Sequence, residues 1–297
     1  MSDTSSSKYI IELKNVSFVY GEGTPFRIEA LTDVSVGIER GTVTGIIGHT
    51  GSGKSTLVQL LNGLIKPQSG TVLLDGRDIW ADPKKIGQVR FRVGLVFQYP
   101  EYQLFEETVW RDIAFGPRNM GLPEDEIKRR VSEAMAFVGL DEKLADASPF
   151  ELSGGQKRRV AIAGVIAMEP EVLVLDEPAA GLDPMGREEI LGGVWSYQRR
   201  KKSTVVIVSH SMEDMARFCD RLIVMCGGRV SMTGTCADIF RQADRLTEIG
   251  LDIPQITRLI FALKARGVDI DTDIYTIDRA KAVIEEMIKQ KRSGSRC

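Results

Sequence analysis

The sequence predicts an α/β protein in which strands and helices alternate to build a parallel sheet, and three stretches carry that prediction. In EVLVLDEP and STVVIVSH, short aliphatic runs end in acids or a histidine and alternate with helical sequence, the pattern of βα units. A third run, residues 42–47, passes through GHTGSGKS into STLVQLLNGLI, where Leu57, Leu60, Leu61 and Leu64 recur at helical spacing. With 297 residues, 43% of them hydrophobic, the chain can hold one large α/β domain and smaller attached pieces, each burying a core.

Taken in order, residues 9–48 are strand-rich, with YIIELKNVSFVY and IEALTDVSVGIERGTVTGIIG punctuated by glycine and charged turns. After the glycine-rich loop and its helix, PQSG is expected to stop the helix. Between residues 99 and 168 the character becomes helical, and in EDEIKRRVSEAMAFVGL the residues Ile127, Val131, Ala134, Met135 and Val138 form one apolar stripe. This reads as a helical subdomain inserted into a larger domain of residues 1–240. Residues 241–297 form a helical extension. Its first helix has Pro254 in the opening turn, Ile256, Leu259, Ile260 and Leu263 on one face and Gly267 at the cap. Its second carries Ala280, Val283, Ile284, Met287 and Ile288.

The charges exclude some classes of function. The 39 basic and 41 acidic residues are interspersed and leave a net charge of −2, so no whole-chain field favours nucleic acid or anionic lipid. Cys219, Cys226, Cys236 and Cys297 lack paired metal-site spacing, and the chain has only two histidines, His49 and His210. No stretch approaches the roughly 18 consecutive apolar residues of a membrane helix, and no signal peptide opens the chain. A soluble, cytosolic polypeptide is expected.

The chemistry is carried by GHTGSGKS, which matches the phosphate-loop pattern in full and lies between a strand and a helix, the context the motif requires. Gly48, Gly51 and Gly53 let backbone N–H groups close on phosphate oxygens, and the helix presents its positive end to the same anion. Lys54 is placed to reach the β and γ phosphates and Ser55 to ligate Mg²⁺. Thr50, Ser52 and Thr56 complete the nucleotide-binding segment with His49, a variable position whose side chain reads as structural. VLVLDE supplies Asp176, placed to hold Mg²⁺ through its water shell, and Glu177, placed to act on the attacking water. His210 ends another buried strand, where a γ-phosphate sensor would stand. Gln98 also ends a strand, so its amide is placed to reach Mg²⁺ or the water.

A second glycine run, FELSGGQKRR, lacks a lysine, yet Ser153, Gly154, Gly155 and Gln156 open a helix whose N-terminus suits an anion. In the order Tyr20, GHTGSGKS, Gln98, LSGGQ, VLVLDE, AGLD and His210, the chain resembles the nucleotide-binding subunits of ATP-binding cassette (ABC) transporters. That resemblance implies a P-loop NTPase fold: a RecA-like core, an N-terminal antiparallel β subdomain and an inserted helical subdomain. It implies that Tyr20 stacks on adenine, Gln98 is the Q-loop glutamine, Glu177 the catalytic base, Asp183 the D-loop aspartate and His210 the switch histidine. It further implies that LSGGQ closes over ATP held by a partner chain, so that two composite sites form in a dimer.

YPEYQLFEETVWRDIAFGPRNMGL and GLDIPQITRLIFALKARGVDI narrow the resemblance to the ATPases of energy-coupling factor (ECF) transporters, importers of vitamins and of metal ions such as cobalt, and to the second of their paired ATPases. This implies a heterodimer with a homologous ATPase, beneath a transmembrane coupling subunit and an exchangeable substrate-binding membrane subunit. The chain would lie on the cytoplasmic face of the membrane, the tail helices would help hold the ATPases together, and no nucleic acid would be bound. Glu101, Glu106 and Glu107 are read either as a carboxylate groove for arginines of the coupling subunit or as a solvated face. A binding-protein-dependent importer ATPase is the alternative, separated only by the tail and the QLFEETV segment. A chromosome or repair ATPase would carry a long coiled coil between phosphate loop and LSGGQ, and a translation factor two cassettes.

Overall fold

In the computed structural model, which describes residues 8–294 and side chains through residue 290, two sheets and a helical lobe meet at the phosphate loop. Strands β1 (Tyr9–Tyr20) and β2 (Ile28–Glu39) pair antiparallel, with Tyr20 opposite Ile28. Strand β3 (Val43–Ile47) is buried throughout and leads into α1 (Lys54–Leu61). That helix ends before PQSG because Gly63 turns at φ +67°, so Leu64 falls outside it and is 41% exposed. Strands β4 (Ser69–Leu74) and β5 (Arg77–Asp78) complete an antiparallel sheet of order β2-β1-β4-β5.

Helix α2 (Ile86–Arg92) precedes β6 (Val93–Val96), after which α3 (Val109–Asn119), α4 (Glu124–Phe137) and α5 (Gly154–Ile166) form the helical lobe. The chain returns through β7 (Val172–Asp176), α6 (Pro184–Lys201), β8 (Thr204–Val208), α7 (Met212–Phe218), β9 (Arg221–Cys226) and β10 (Arg229–Thr235). The second sheet runs β10-β9-β3-β8-β7-β6, with every neighbouring pair parallel except β10 on β9. The expected α/β architecture, with a parallel core, an antiparallel sheet and inserted helices, is thus the one observed.

Strand alternation divides the core into two layers. Ile47, Leu173, Leu175, Val205 and Ile207 face the helical side with Ile113, Val131 and Val160, while Ile46, Val172, Val174, Val206 and Val208 face α1 and the antiparallel sheet. Each fully buried aliphatic side chain contributes about 1.5–3 kcal/mol relative to exposure, so a charge in β7 or β8 would damage both layers. The α4 stripe expected at Ile127, Val131, Ala134, Met135 and Val138 is buried in full.

Past β10, α8 (Cys236–Phe240) and α9 (Ala243–Glu248) lead to α10 (Gln255–Ala265) and α11 (Ile277–Gly294). The last two build a small apolar cluster around Ile260, Ile270, Ile274 and Ala280, flanked by Ile256, Leu263, Val283, Ile284 and Met287. The seam is narrower than the sequence stripes suggest: it follows Ile256, Ile260 and Leu263, whereas Leu259 and Ile288 are each 47% exposed. Helix contact along one ridge at i, i+4 and i+7 leaves the i+3 position on the flank.

Candidate functional site

Four neighbouring parallel strands end on one side of the sheet and bring the predicted residues together. After β3 comes the phosphate loop, after β7 Glu177, after β8 His210 and after β6 Gln98, at the carboxyl-end crevice where open α/β sheets bind ligands. A cavity of about 300 Å³ is lined by Tyr20, Ile28, Ala30, Thr50, Gly51, Gly53, Lys54, Ser55, Thr56, Gln98, Asp176, Glu177 and His210. Gly48, His49 and Ser52 are not among the residues that line it.

The loop's shape follows from its glycines. A side chain at Gly48 would meet the Met225 carbonyl and Ser52 Oγ at 2.5 Å, and one at Gly53, where φ is +101°, would meet the Ala30 carbonyl at 2.5 Å. Lys54 Nζ donates to the carbonyls of Gly48 at 2.6 Å and His49 at 3.0 Å, so the ammonium is folded onto its own loop. That gives His49 a part to play through its backbone. Tyr20 packs edge-on to Phe18 at 4.9 Å and its hydroxyl lies 3.3 Å from Thr56 Oγ1, leaving the ring 40% exposed above the cavity.

Glu177 adopts φ 51°, a left-handed conformation costly for a residue with a side chain, while its N–H donates to the Val208 carbonyl at 3.0 Å. The turn swings its carboxylate beside His210, with Nε2 3.3 Å from Oε1. Burial, helped by the charge of Asp176, pushes the Glu177 carboxyl up to about 7. Asp176 is raised by burial, against a hydrogen bond from Ser55 and the charge of Lys54. Burial lowers Lys54 despite the two carboxylates, and burial followed by the Lys54 charge lowers His210. The site therefore holds desolvated charges of both signs that an anionic phosphate chain and a divalent cation would satisfy. Ser52 Oγ and Glu177 Oε1 are buried without hydrogen-bond partners. These orphaned atoms, with the backbone cradle that no Cβ could enter, fit a nucleoside triphosphate and its magnesium ion.

The LSGGQ residues lie elsewhere. Ser153 caps α5, its Oγ accepting from Gln156 N at 3.3 Å while Gln156 Oε1 accepts from Ser153 N at 2.9 Å. Gln156 is thus engaged with its own helix, but the Ser153 hydroxyl proton is left to donate, and nothing stands within 4 Å of where a Cβ would sit on Gly154 or Gly155. Asp183 Oδ1 accepts from Gly186 N at 2.7 Å to cap α6. Ser153, Gly155, Gln156 and Asp183 line a separate open cavity of about 670 Å³, which shares no wall residue with the phosphate-loop cavity.

One expectation changes on this surface. Glu101 does not belong to a free carboxylate groove: it pairs with Arg158 of α5 through Nη2–Oε1 at 2.8 Å and Nε–Oε2 at 3.1 Å, with side-chain exposures of 16% and 5%. Glu107 pairs with Arg111, and the exposed face around them is aromatic, with Tyr99, Tyr102, Phe105 and Phe115. Ile28 and Ala30 are wall residues the sequence reading missed; the β1–β2 register that sets Ile28 opposite Tyr20 emerges only in the structure.

Fold and site together define a phosphate-loop ATPase of the cassette type, and the family model described as ABC transporter matches residues 31–180. The energy-coupling factor transporter ATP-binding protein EcfA2 of Caldanaerobacter subterraneus subsp. tengcongensis is 56% identical over 91% of this chain and 95% of its own. That of Clostridioides difficile is 53% identical over 97% and 99%. Among solved structures, cbiO1 of Clostridium perfringens, part of the ABC transporter complex cbiONQ, is 42% identical over 86% of this chain and 99% of its own, with a TM-score of 0.72. A dimeric, post-hydrolysis structure of the cassette MJ0796 bound to ADP and Pi is 31% identical over 76% and 98%, with a TM-score of 0.69. The chain belongs to the ABC transporter ATP-binding family, and within it to the energy-coupling factor ATP-binding proteins.

Proposed function

We propose that this chain is the ATP-binding and hydrolysing subunit of an energy-coupling factor importer, and that its residues divide the work as follows. The Gly48–Ser55 backbone and Lys54 hold the β and γ phosphates, Tyr20 with Ile28 and Ala30 holds the base, and Ser55, Asp176 and Gln98 hold Mg²⁺. When bound, Mg²⁺ neutralises charge on the transferring phosphoryl group. Glu177 orients and deprotonates the attacking water, and His210 beside it contacts the γ phosphate. The observation that carries this reading is the convergence of Lys54, Ser55, Asp176, Glu177, His210 and Gln98 from four strand ends on one cavity.

Ser153, Gly154 and Gly155, with Asp183, act on nucleotide held by a homologous second ATPase in a heterodimer. The tail helices contribute to that pairing, with Leu259, Ile277 and Ile288 exposed at 47%, 69% and 47%. The aromatic surface of the helical lobe meets a transmembrane coupling subunit, which associates with an exchangeable substrate-binding membrane subunit for vitamins or metal ions. The chain is peripheral on the cytoplasmic face; among the described residues no helix is long and apolar enough to cross a membrane.

The Glu177→Gln variant keeps shape and removes the base. In the assembled transporter it is expected to bind ATP within about twofold of wild type while turnover falls on the order of 100-fold or more. Turnover close to wild type would reject the assigned role.

A further inference from the structure

Behind Glu177 and His210 lies a second, smaller cavity of about 100 Å³, whose walls include Ser209, Ser211, Arg187 and Asp214. Two buried polar atoms on its lining residues, Glu177 Oε1 and Arg187 Nε, have no hydrogen-bond partner. Arg187 stands in the first turn of α6, where its N–H donates to the Asp183 carbonyl at 3.0 Å. Its guanidinium Nη1 lies 3.5 Å from Asp214 Oδ2 on α7, and the Asp214 side chain is 14% exposed.

Helix α7 follows His210 almost at once, capped by Ser211, whose Oγ accepts from Asp214 N at 3.2 Å. At seven residues it is too short to hold its place by helix propensity alone. Arg187–Asp214 ties its leading turn to α6, and Arg217–Glu188, with Nη2–Oε1 at 2.8 Å, ties its far end to the same helix. The element that sets the backbone of His210 is thereby strapped to the element that carries Asp183.

We propose that Arg187 is a positioning residue for hydrolysis: through Asp214 it fixes the helix that follows His210, and across the shared cavity it holds the Glu177 carboxylate beside that histidine. The guanidinium faces Glu177 from α6 with opposite charge, and the cavity, with Ser209, Ser211 and Asp214 on one part of its wall, has room and polar partners for waters that join the two orphaned atoms. This assignment rests on Glu177 being the base and adds a residue that touches neither nucleotide nor metal.

The test is steady-state ATP hydrolysis by the full chain in its assembled transporter, with thermal unfolding measured alongside. Arg187→Ala is expected to lower kcat about tenfold to 100-fold with KM for ATP within about twofold, because misplacing a reacting group by an ångström costs rate rather than affinity. Arg187→Lys is expected to recover part of the loss. Asp214→Ala should lower kcat similarly, and the double variant should be no worse than the worse single, since the two residues act through one contact. A kcat for Arg187→Ala within twofold of wild type, a rise in KM at unchanged kcat, or losses that multiply in the double variant would each overturn the proposal. So would a Lys variant as slow as the Ala variant at an unchanged melting temperature. Glu177→Gln in the same assay separates the readings: if it retains turnover, the base assignment fails; if it abolishes turnover while Arg187→Ala does not, only the role of Arg187 fails.

Discussion

At the scale of single residues, Glu177 combines a left-handed backbone with a buried carboxylate. It is held at φ 51°, its side chain is 12% exposed, and burial with Asp176 beside it raises its carboxyl from 4.5 to about 7. A raised folded-state value means that the folded chain binds this proton more tightly than the unfolded chain does. The associated stability is therefore fully present below about pH 4.5 and is lost as pH rises through about 7. Replacing the carboxylate with the neutral amide of Glu177→Gln should then stabilise the ligand-free protein by about 1–3 kcal/mol near pH 8 and by less than about 1 kcal/mol near pH 5. Urea unfolding of both proteins at the two pH values measures this, and an equal gain at both would dismiss the buried-charge account. The identity of Glu177 was legible in the VLVLDE pattern. Its strain and its pairing with His210 were not, because they depend on where β8 lies beside β7.

At the scale of elements, the sequence was most readable where one periodicity ran unbroken. The α4 stripe, the buried β3, β7 and β8 and the strand-loop-helix context of GHTGSGKS all appear as read, because local pattern and burial agree in them. It was least readable where the partner is remote. Glu101 looked like one member of an acidic surface cluster, but its partner, Arg158, lies 57 residues away on α5. Arg158 also donates to the Ala180 carbonyl, so one 4%-exposed guanidinium joins the segment after Gln98, the LSGGQ helix and the turn before Asp183. Arg158→Ala would leave Glu101 unpaired in a largely buried place, at a cost of about 3 kcal/mol. Replacing both residues with apolar ones of similar size, Arg158→Met with Glu101→Leu, should recover most of that loss. Denaturant midpoints of the single and double variants test it, and a double variant no more stable than Arg158→Ala would rule out the buried pair as the cause.

At the scale of the whole molecule, one chain carries two unlike half-sites that face different cavities. The phosphate-loop cavity gathers cation, carboxylates and histidine but no LSGGQ residue, and the cavity at Ser153 has the open helix N-terminus but no lysine and no strand-end acid. Single-chain geometry thus accounts for binding of ATP and leaves transition-state charge on the γ phosphate without the donors of a second glycine-rich turn. Fixed donors of that kind contribute on the order of 10²–10³ in rate when they are aimed at developing charge. The isolated chain at dilution should therefore bind ATP but turn it over at least about tenfold more slowly than the assembled ATPase pair, with specific activity rising as protein or partner concentration increases. Ser153→Ala should leave ATP binding by the isolated chain unchanged and lower turnover only in the assembled pair, since in the proposed division of work its hydroxyl proton serves nucleotide held by the other subunit. Titrating the second ATPase into the purified chain while following phosphate release measures both effects. A specific activity independent of concentration and partner, or a Ser153→Ala chain that loses its own ATP binding, would mean that the two cavities do not work across subunits.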